Sequence, residues 1–238
     1  MAHHSIYFPD LRPLPGGILT VAGEEAHHAL RVKRLAPADT VRVCNGKGLI
    51  AQARLVDSRK RRDEWELDLD VMSVSEEPSA RPRVTVLASP PKGDRLEAMI
   101  DGLSQVGACG YAPLLTERTI VEPRQGKLDR LSRVAIESMK QCGRAWTLEI
   151  GEAVPLESAL ASKARVVLAD ATGKPYQTQQ ADDITLLIGP EGGWTEPELA
   201  AARAAGVEVA RFGTYVMRTE TAAIVAAALV MESQQAKA

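Results

Sequence analysis

Long apolar runs are missing from this 238-residue chain. The longest, Ala222–Met231, has ten residues, about half of the roughly 20 that a helix needs to cross a bilayer, which excludes a transmembrane span. Cysteine is scarce. Cys44, Cys109 and Cys142 are odd in number and far apart, so neither a disulfide framework nor a zinc centre is expected. The first residues, Met-Ala-His-His-Ser-Ile-Tyr, lack the basic and apolar regions of a secretory leader, and a cytoplasmic location is expected. Familiar catalytic signatures are absent as well: no Gly-x-Ser-x-Gly, no Walker A, no Gly-x-Gly-x-x-Gly. His3, His4, His27 and His28 have no carboxylate spacing that would hold a metal, and none is expected. Nor is there a large excess of either charge, the net being −2, which argues against a protein that coats nucleic acid by bulk attraction.

What is present is the composition of a globular protein, 45% apolar and 25% charged, with length for one or two domains. Charge is uneven. Residues 78–145 carry 11 Lys+Arg against 7 Asp+Glu, and residues 146–238 carry 7 against 12; a local phosphate-binding face is thereby permitted. The clearest boundary is the polar, proline-containing stretch Ser75–Pro82, which suggests domains at 1–75 and 76–238. Before it lie short strands (Gly17–Val21, Thr40–Cys44, Leu49–Leu55, Trp65–Met72), a turn at Asn45–Gly48 and one helix, Glu24–Leu35. After it, strand and helix alternate: strands at Val84–Ala88, Tyr111–Leu115, Val166–Ala169, Thr185–Ile188 and Val207–Phe212; helices at Arg95–Val106, Leu128–Cys142, Thr195–Ala205 and Glu220–Glu232. This rhythm predicts an α/β fold with a mostly parallel sheet.

Two segments carry chemistry. In Leu186-Leu-Ile-Gly-Pro-Glu-Gly-Gly-Trp-Thr195 a buried strand runs into a glycine-rich loop and then a helix opened by the capping box Thr195-Glu-Pro-Glu198. Glycines allow close backbone approach by a ligand, and Glu191 disfavours phosphate there. The second, Arg211–Ala223, clusters Arg218, Thr219, Glu220 and Thr221 at a helix start. Thr219 and Glu220 suit that position; Arg218 opposes the helix dipole and requires an anionic substrate or carboxylate to explain it. Cys142 could be a nucleophile, though a buried thiol on an inner helix face is the favoured reading. The last helix is apolar all round, and a second copy of the chain is its simplest cover, with Ala226 and Ala227 at the interface of a homodimer.

Leu187-Ile-Gly-Pro-Glu-Gly-Gly193 followed by Met217-Arg-Thr-Glu-Thr-Ala222 resembles the signature of the bacterial 16S ribosomal RNA (uracil-N3)-methyltransferases of the SPOUT superfamily. His28-Ala-Leu-Arg-Val-Lys-Arg-Leu35, Val106-Gly107, Ala112-Pro-Leu-Leu-Thr-Glu-Arg118 and Gln141-Cys-Gly-Arg144 resemble further family segments in order. Lys33 departs from the usual apolar residue, and Tyr215 and Val216 stand in a variable loop. The resemblance implies a small N-terminal PUA-like β-barrel, then a SPOUT-type α/β methyltransferase domain with a C-terminal trefoil knot. It implies S-adenosyl-L-methionine as cofactor, held by Leu168, Ala169, Ile188, Gly189, Pro190, Glu191, Gly192, Gly193, Gly213, Val216, Met217, Arg218, Thr221 and Ala222. A side chain at Gly192 would then abolish cofactor binding. Arg218 is the expected charge stabiliser, with Glu191 or Glu220 as base. His28, Arg31, Lys33, Arg34, Lys92, Arg118 and Arg144 are the expected contacts to 16S rRNA in the small ribosomal subunit. A ribose 2′-O-methyltransferase of the same superfamily and a non-catalytic RNA-binding assembly factor are the alternatives.

Overall fold

The computed structural model describes residues 4–12 and 16–235; the start of the chain, with His3, lies outside them. The chain forms two compact units, Met1–Ser79 with Met139–Thr147, and Ala80–Ser138 with Leu148–Ala238.

The first unit holds strands β1 (His4–Tyr7), β2 (Ile18–Ala22), β3 (Thr40–Cys44), β4 (Leu49–Arg61) and β5 (Glu64–Glu76) in one mixed sheet of order β1-β3-β4-β5-β2. Only the β1–β3 pair is parallel. Strand alternation puts Ile6, Val21, Val41, Val43, Leu55, Leu67 and Leu69 in the core. The Asn45–Gly48 turn forms as expected. Asn45 Oδ1 accepts from the Lys47 and Leu49 amides at 2.8 and 3.0 Å, and Gly46 and Gly48 take positive φ. The helix expected over Glu24–Leu35 is shorter and irregular. It consists of α1 (Glu24–His27) and a π-helical turn over His28–Val32, and Arg34 ends it at φ +58°. Met139–Thr147 joins this unit through Lys140, whose ammonium lies 2.7 Å from Glu25 Oε1, and through Gly48 N–H, which donates to Ala145 C=O at 3.0 Å. Cys142 is exposed, which corrects the expected buried thiol: it sits in the last turn of its helix, on the outer side. Cys44 is the buried one, and burial pushes its thiol up to about 11.

The second unit holds β6 (Arg83–Ala88), α2 (Arg95–Gln105), β7 (Gly110–Leu115), α3 (Gln125–Cys142, whose last residues belong to the first unit), β8 (Glu149–Ile150), β9 (Val154–Pro155), α4 (Leu156–Leu160), β10 (Arg165–Pro175), β11 (Asp183–Ile188), α5 (Glu196–Ala204), β12 (Glu208–Arg211) and α6 (Thr219–Gln235). Its sheet runs β12-β10-β11-β6-β7-β8, with β9 also on β7, and every pairing is parallel. The continuous apolar runs follow from cover on both faces. Leu186 of β11 packs with Leu103, Leu131 and Ala227 on one face, while Leu187 packs with Leu156, Leu199 and Ala202 on the other. Thr195 caps α5 in a complete capping box with Glu198.

The inner side of α6 is covered by its own chain, where a second copy was the simplest expected cover. Ala223, Ala226, Ala227 and Val230 are fully buried in the same core as α2 and the sheet. Small residues let the two helices meet closely: a Cβ on Gly102 would lie 2.4 Å from Ile224 Cδ1. Ala226 and Ala227 are therefore core positions, and of α6's large apolar residues only Leu229 is exposed, at 46%. Among the described residues no helix is long and apolar enough to cross a membrane, and no group of three or more His, Cys, Asp or Glu could hold a metal ion.

Candidate active site

Parallel sheets bind ligands beyond the carboxyl ends of their strands, where successive loops diverge and backbone groups point outward. Here the ends of β11 and β12 and the register shift within β10 meet around a cavity of about 460 Å³. It is lined by Ala169–Ala171, where β10 shifts register against β12, by Ile188–Glu191 with Gly193 and Trp194 at and after the end of β11, and by Arg211–Thr219 with Ala222 at and after the end of β12. The two segments singled out in the sequence are thus brought together, beside Ala169 of β10. Of the fourteen residues expected at the cofactor, Leu168, Gly192 and Thr221 do not line the cavity. Leu168 is fully buried in the core beneath.

Each glycine of the β11 loop has its own reason. Gly193 adopts φ +69°, where L side chains are strained. Gly189 makes room for Trp194: a Cβ there would sit 2.9 Å from Trp194 Cε2. Gly192 does not line the cavity, and a Cβ on it would lie 3.2 Å from Arg118 Cδ, so its small size leaves room for Arg118. The loop is pinned by hydrogen bonds from outside it. Trp194 Nε1–H donates to Ala169 C=O at 3.0 Å, Thr219 Oγ1–H to Gly189 C=O at 3.2 Å, and Arg118 Nη1–H to Gly192 C=O at 2.6 Å.

The two candidate carboxylates are held by a residue that the sequence reading missed. Arg95, first residue of α2, places Nη2 3.3 Å from Glu191 Oε1 and Nη1 3.8 Å from Glu220 Oε2. Glu191 lines the cavity; Glu220 does not, and its Oε2 is buried without a hydrogen bond. Arg218 lines the cavity and is exposed; its carbonyl accepts from Ala222 N–H at 2.8 Å, but among the described residues its guanidinium makes no hydrogen bond or ion pair. Of the two explanations that the sequence allowed for Arg218, a carboxylate partner is not found among the described residues, and Glu191 and Glu220 face Arg95 instead.

The expected RNA contacts fall in both units. In the first, Arg31, Lys33 and Arg34 are exposed, and His28 and Arg144 half-buried. The Arg31 guanidinium lies over Trp65, 5.9 Å from the ring centroid. In the second, Lys92 is exposed, whereas the Arg118 guanidinium is engaged with the loop carbonyl of Gly192.

Residues 77–231 match the RNA methyltransferase domain family, and residues 21–62 match the RNA methyltransferase PUA domain. The chain belongs to this RNA methyltransferase family. Among curated members, it is similar to the ribosomal RNA small subunit methyltransferase E of Synechocystis, 31% identical over 89% of this chain and 72% of that protein. The enzyme of the same name from Mycobacterium bovis is 30% identical over 93% and 88%. Among solved structures, a putative methyltransferase of Legionella pneumophila in complex with its cofactor SAM matches with TM-score 0.85 and 26% identity over 98% of both chains. A ribosomal RNA small subunit methyltransferase E from Neisseria gonorrhoeae shares the fold, with TM-score 0.87 and 24% identity over 97% of both chains.

Proposed function

We propose that this protein transfers the methyl group of S-adenosyl-L-methionine to N3 of a uridine in the 16S rRNA of the small ribosomal subunit. The observation that carries the reading is the cavity with an unengaged guanidinium, Arg218, on its wall, in a chain of an RNA methyltransferase family. The cavity fits such a cofactor: about 460 Å³ lies within the range of small-molecule sites, roughly 300–1,000 Å³. Ile188, Phe212, Val216, Met217 and Ala222 supply apolar wall, and the backbone of 188–191, 193 and 213–218 supplies polar groups beside it. When bound, the cofactor supplies an electrophilic methyl group on a sulfonium.

The chain's part in the reaction follows from the chemistry of the imide. Uridine N3 carries a proton that must leave as the new bond forms, and negative charge builds on the uracil ring. Glu191, on the cavity wall, is the carboxylate placed to take that proton; Glu220, off the cavity, braces α6 through Arg95. Arg218 stabilises the developing anion. N3 lies on the pairing edge, so the target base must be unpaired or extruded.

The finer architecture belongs to the same proposal. The first unit is a PUA-like RNA-binding barrel that uses His28, Arg31, Lys33, Arg34 and Arg144. The second is a SPOUT domain whose C-terminal part forms a trefoil knot, with domains divided near residue 75 and Lys92 facing the RNA. The protein works in the cytoplasm as a homodimer through the outer side of α6, around Leu229.

The test is methylation of small subunits from a strain lacking the enzyme, with the modified nucleoside mapped by mass spectrometry. Methyl at uridine N3 is the expected result. Methyl on a ribose 2′-oxygen, or no transfer alongside no S-adenosylhomocysteine binding, would replace this reading with one of its alternatives.

A further inference from the structure

Exposed large apolar side chains are most informative when they adjoin each other and a cavity. Tyr215 and Val216 do both: they are 85% and 88% exposed, and both line the cavity. Three aromatic residues line that cavity: Trp194, Phe212 and Tyr215. The other two rings are already occupied. Trp194 is 8% exposed, packs beneath Gly189, and donates its Nε1–H to Ala169. Phe212 is also 8% exposed and stacks on Tyr176, with centroids 4.9 Å apart. Tyr215 alone offers a free π-face at the mouth, three residues before the unengaged Arg218.

We infer that Tyr215 is the binding platform on which the target uracil stacks once it has left its own stack in the RNA, an inference that rests on the function proposed above. An extruded base loses its neighbours' π-faces, and aromatic side chains replace them. Stacking suits this reaction because it uses the face of the base and leaves the whole edge, N3 included, free for Glu191 and Arg218. A hydrogen-bonding clamp on the pairing edge would instead occupy the atom to be methylated. Val216 extends the apolar surface beside the ring.

The experiment compares Tyr215→Ala, Tyr215→Leu, Tyr215→Phe and Tyr215→Trp with the wild type. Steady-state methylation is measured on unmethylated small subunits, S-adenosylhomocysteine affinity by calorimetry, and mass by sedimentation. Alanine and leucine are expected to lower kcat/KM about 5- to 150-fold, the span of base–aromatic stacking (~1–3 kcal/mol at 1.36 kcal/mol per tenfold). Phenylalanine and tryptophan recover the rate, while cofactor affinity and mass stay at wild-type values in all four. The inference is overturned if alanine keeps the wild-type rate, or if leucine recovers it as well as phenylalanine, since apolar bulk would then suffice. It is equally overturned if alanine weakens S-adenosylhomocysteine binding by the same factor, which assigns the ring to the cofactor. A shift in mass would do the same, assigning the ring to a second copy of the chain. A wild type that places no methyl on uridine overturns the proposed function and this inference together; a working wild type with an unaffected alanine variant overturns this inference alone.

Discussion

Replacing Arg95 with alanine removes the cation that faces both carboxylates near the site. The two interactions contribute unequally. Arg95 and Glu191 have side chains 37% and 43% exposed, so water screens that pair and its loss costs at most about 1 kcal/mol. Glu220 is different: its side chain is 14% exposed and its Oε2 is buried without a hydrogen bond. Stripping a buried carboxylate of its counter-ion costs about 3–5 kcal/mol when burial is complete, and the residual exposure lowers this to about 2 kcal/mol. The variant should lose about 3 kcal/mol in total, a fall in Tm of about 6–12 °C for a chain of this size. The second change that decides the matter is Glu220→Gln. If the cost arises from an uncompensated charge, Arg95→Ala/Glu220→Gln should melt well above Arg95→Ala, recovering about 2 kcal/mol. Scanning calorimetry on the four proteins of the cycle measures this, and titration with S-adenosylhomocysteine alongside should register weaker binding in Arg95→Ala as the Glu191 loop loosens. A double variant that melts no higher than Arg95→Ala would refute the reasoning, because the arginine would then act through packing.

Arg218→Ala should lower single-turnover methyl transfer about 10²- to 10³-fold with Tm unchanged, and lysine should recover only part of it because a point charge lacks the planar fork of donors; a normal single-turnover rate removes Arg218 from the mechanism. Leu229→Arg should convert dimer to monomer in sedimentation with little change in Tm, whereas Ala226→Arg should unfold the second unit, its position being fully buried; a dimeric Leu229→Arg moves the interface elsewhere. Thiol alkylation at pH 8 should label the exposed Cys142 within the folded protein and spare Cys44. Because burial raises Cys44 from 9.0 to about 11, the folded state holds a proton that the unfolded state releases over that interval. Stability should fall by about 2–3 kcal/mol between pH 9 and pH 11, and Cys44→Ala should flatten that part of the pH–stability curve.

The parts of this fold legible in the sequence are those where one local pattern decides the outcome. The capping box at Thr195–Glu198 and the apolar runs of β6, β10 and β11 formed where expected. Each depends on residues within a few positions of one another. The four-residue strand β1 escaped notice because its order comes from pairing with β3, some 37 residues away. The hairpin joining β4 and β5 was equally hidden: its turn residues Arg62 and Asp63 adopt φ +46° and +71° without the glycine that usually announces such a turn. Tertiary pairing imposes the conformation there. Ala226 and Ala227 of α6, expected at an interface, lie in the core for a related reason. A helix apolar all round must be covered all round, but composition cannot say by what, and α2 and the sheet cover more of it than expected.

Arg95 could have been found by an argument already applied elsewhere. A cation in the first turn of a helix opposes the macrodipole, at a cost of about 0.3–1 kcal/mol, and that mismatch is what singled out Arg218. Arg95 has the same mismatch at the start of α2. The structure separates the two cases. At Arg95 the mismatch is offset within the protein by Glu191 and Glu220. At Arg218, among the described residues, nothing offsets it, and the adjacent Glu220, the nearest acid in sequence, is turned toward Arg95 instead. An exposed arginine at a helix start, on a cavity wall and denied its neighbouring carboxylate, is in an electrostatic position that only an incoming negative charge improves. A neutral uracil does little for it, and a uracil giving up its N3 proton does much more. That difference between ground state and transition state is what makes a charge catalytic and not merely binding, and it requires Arg95 to keep Glu220 occupied.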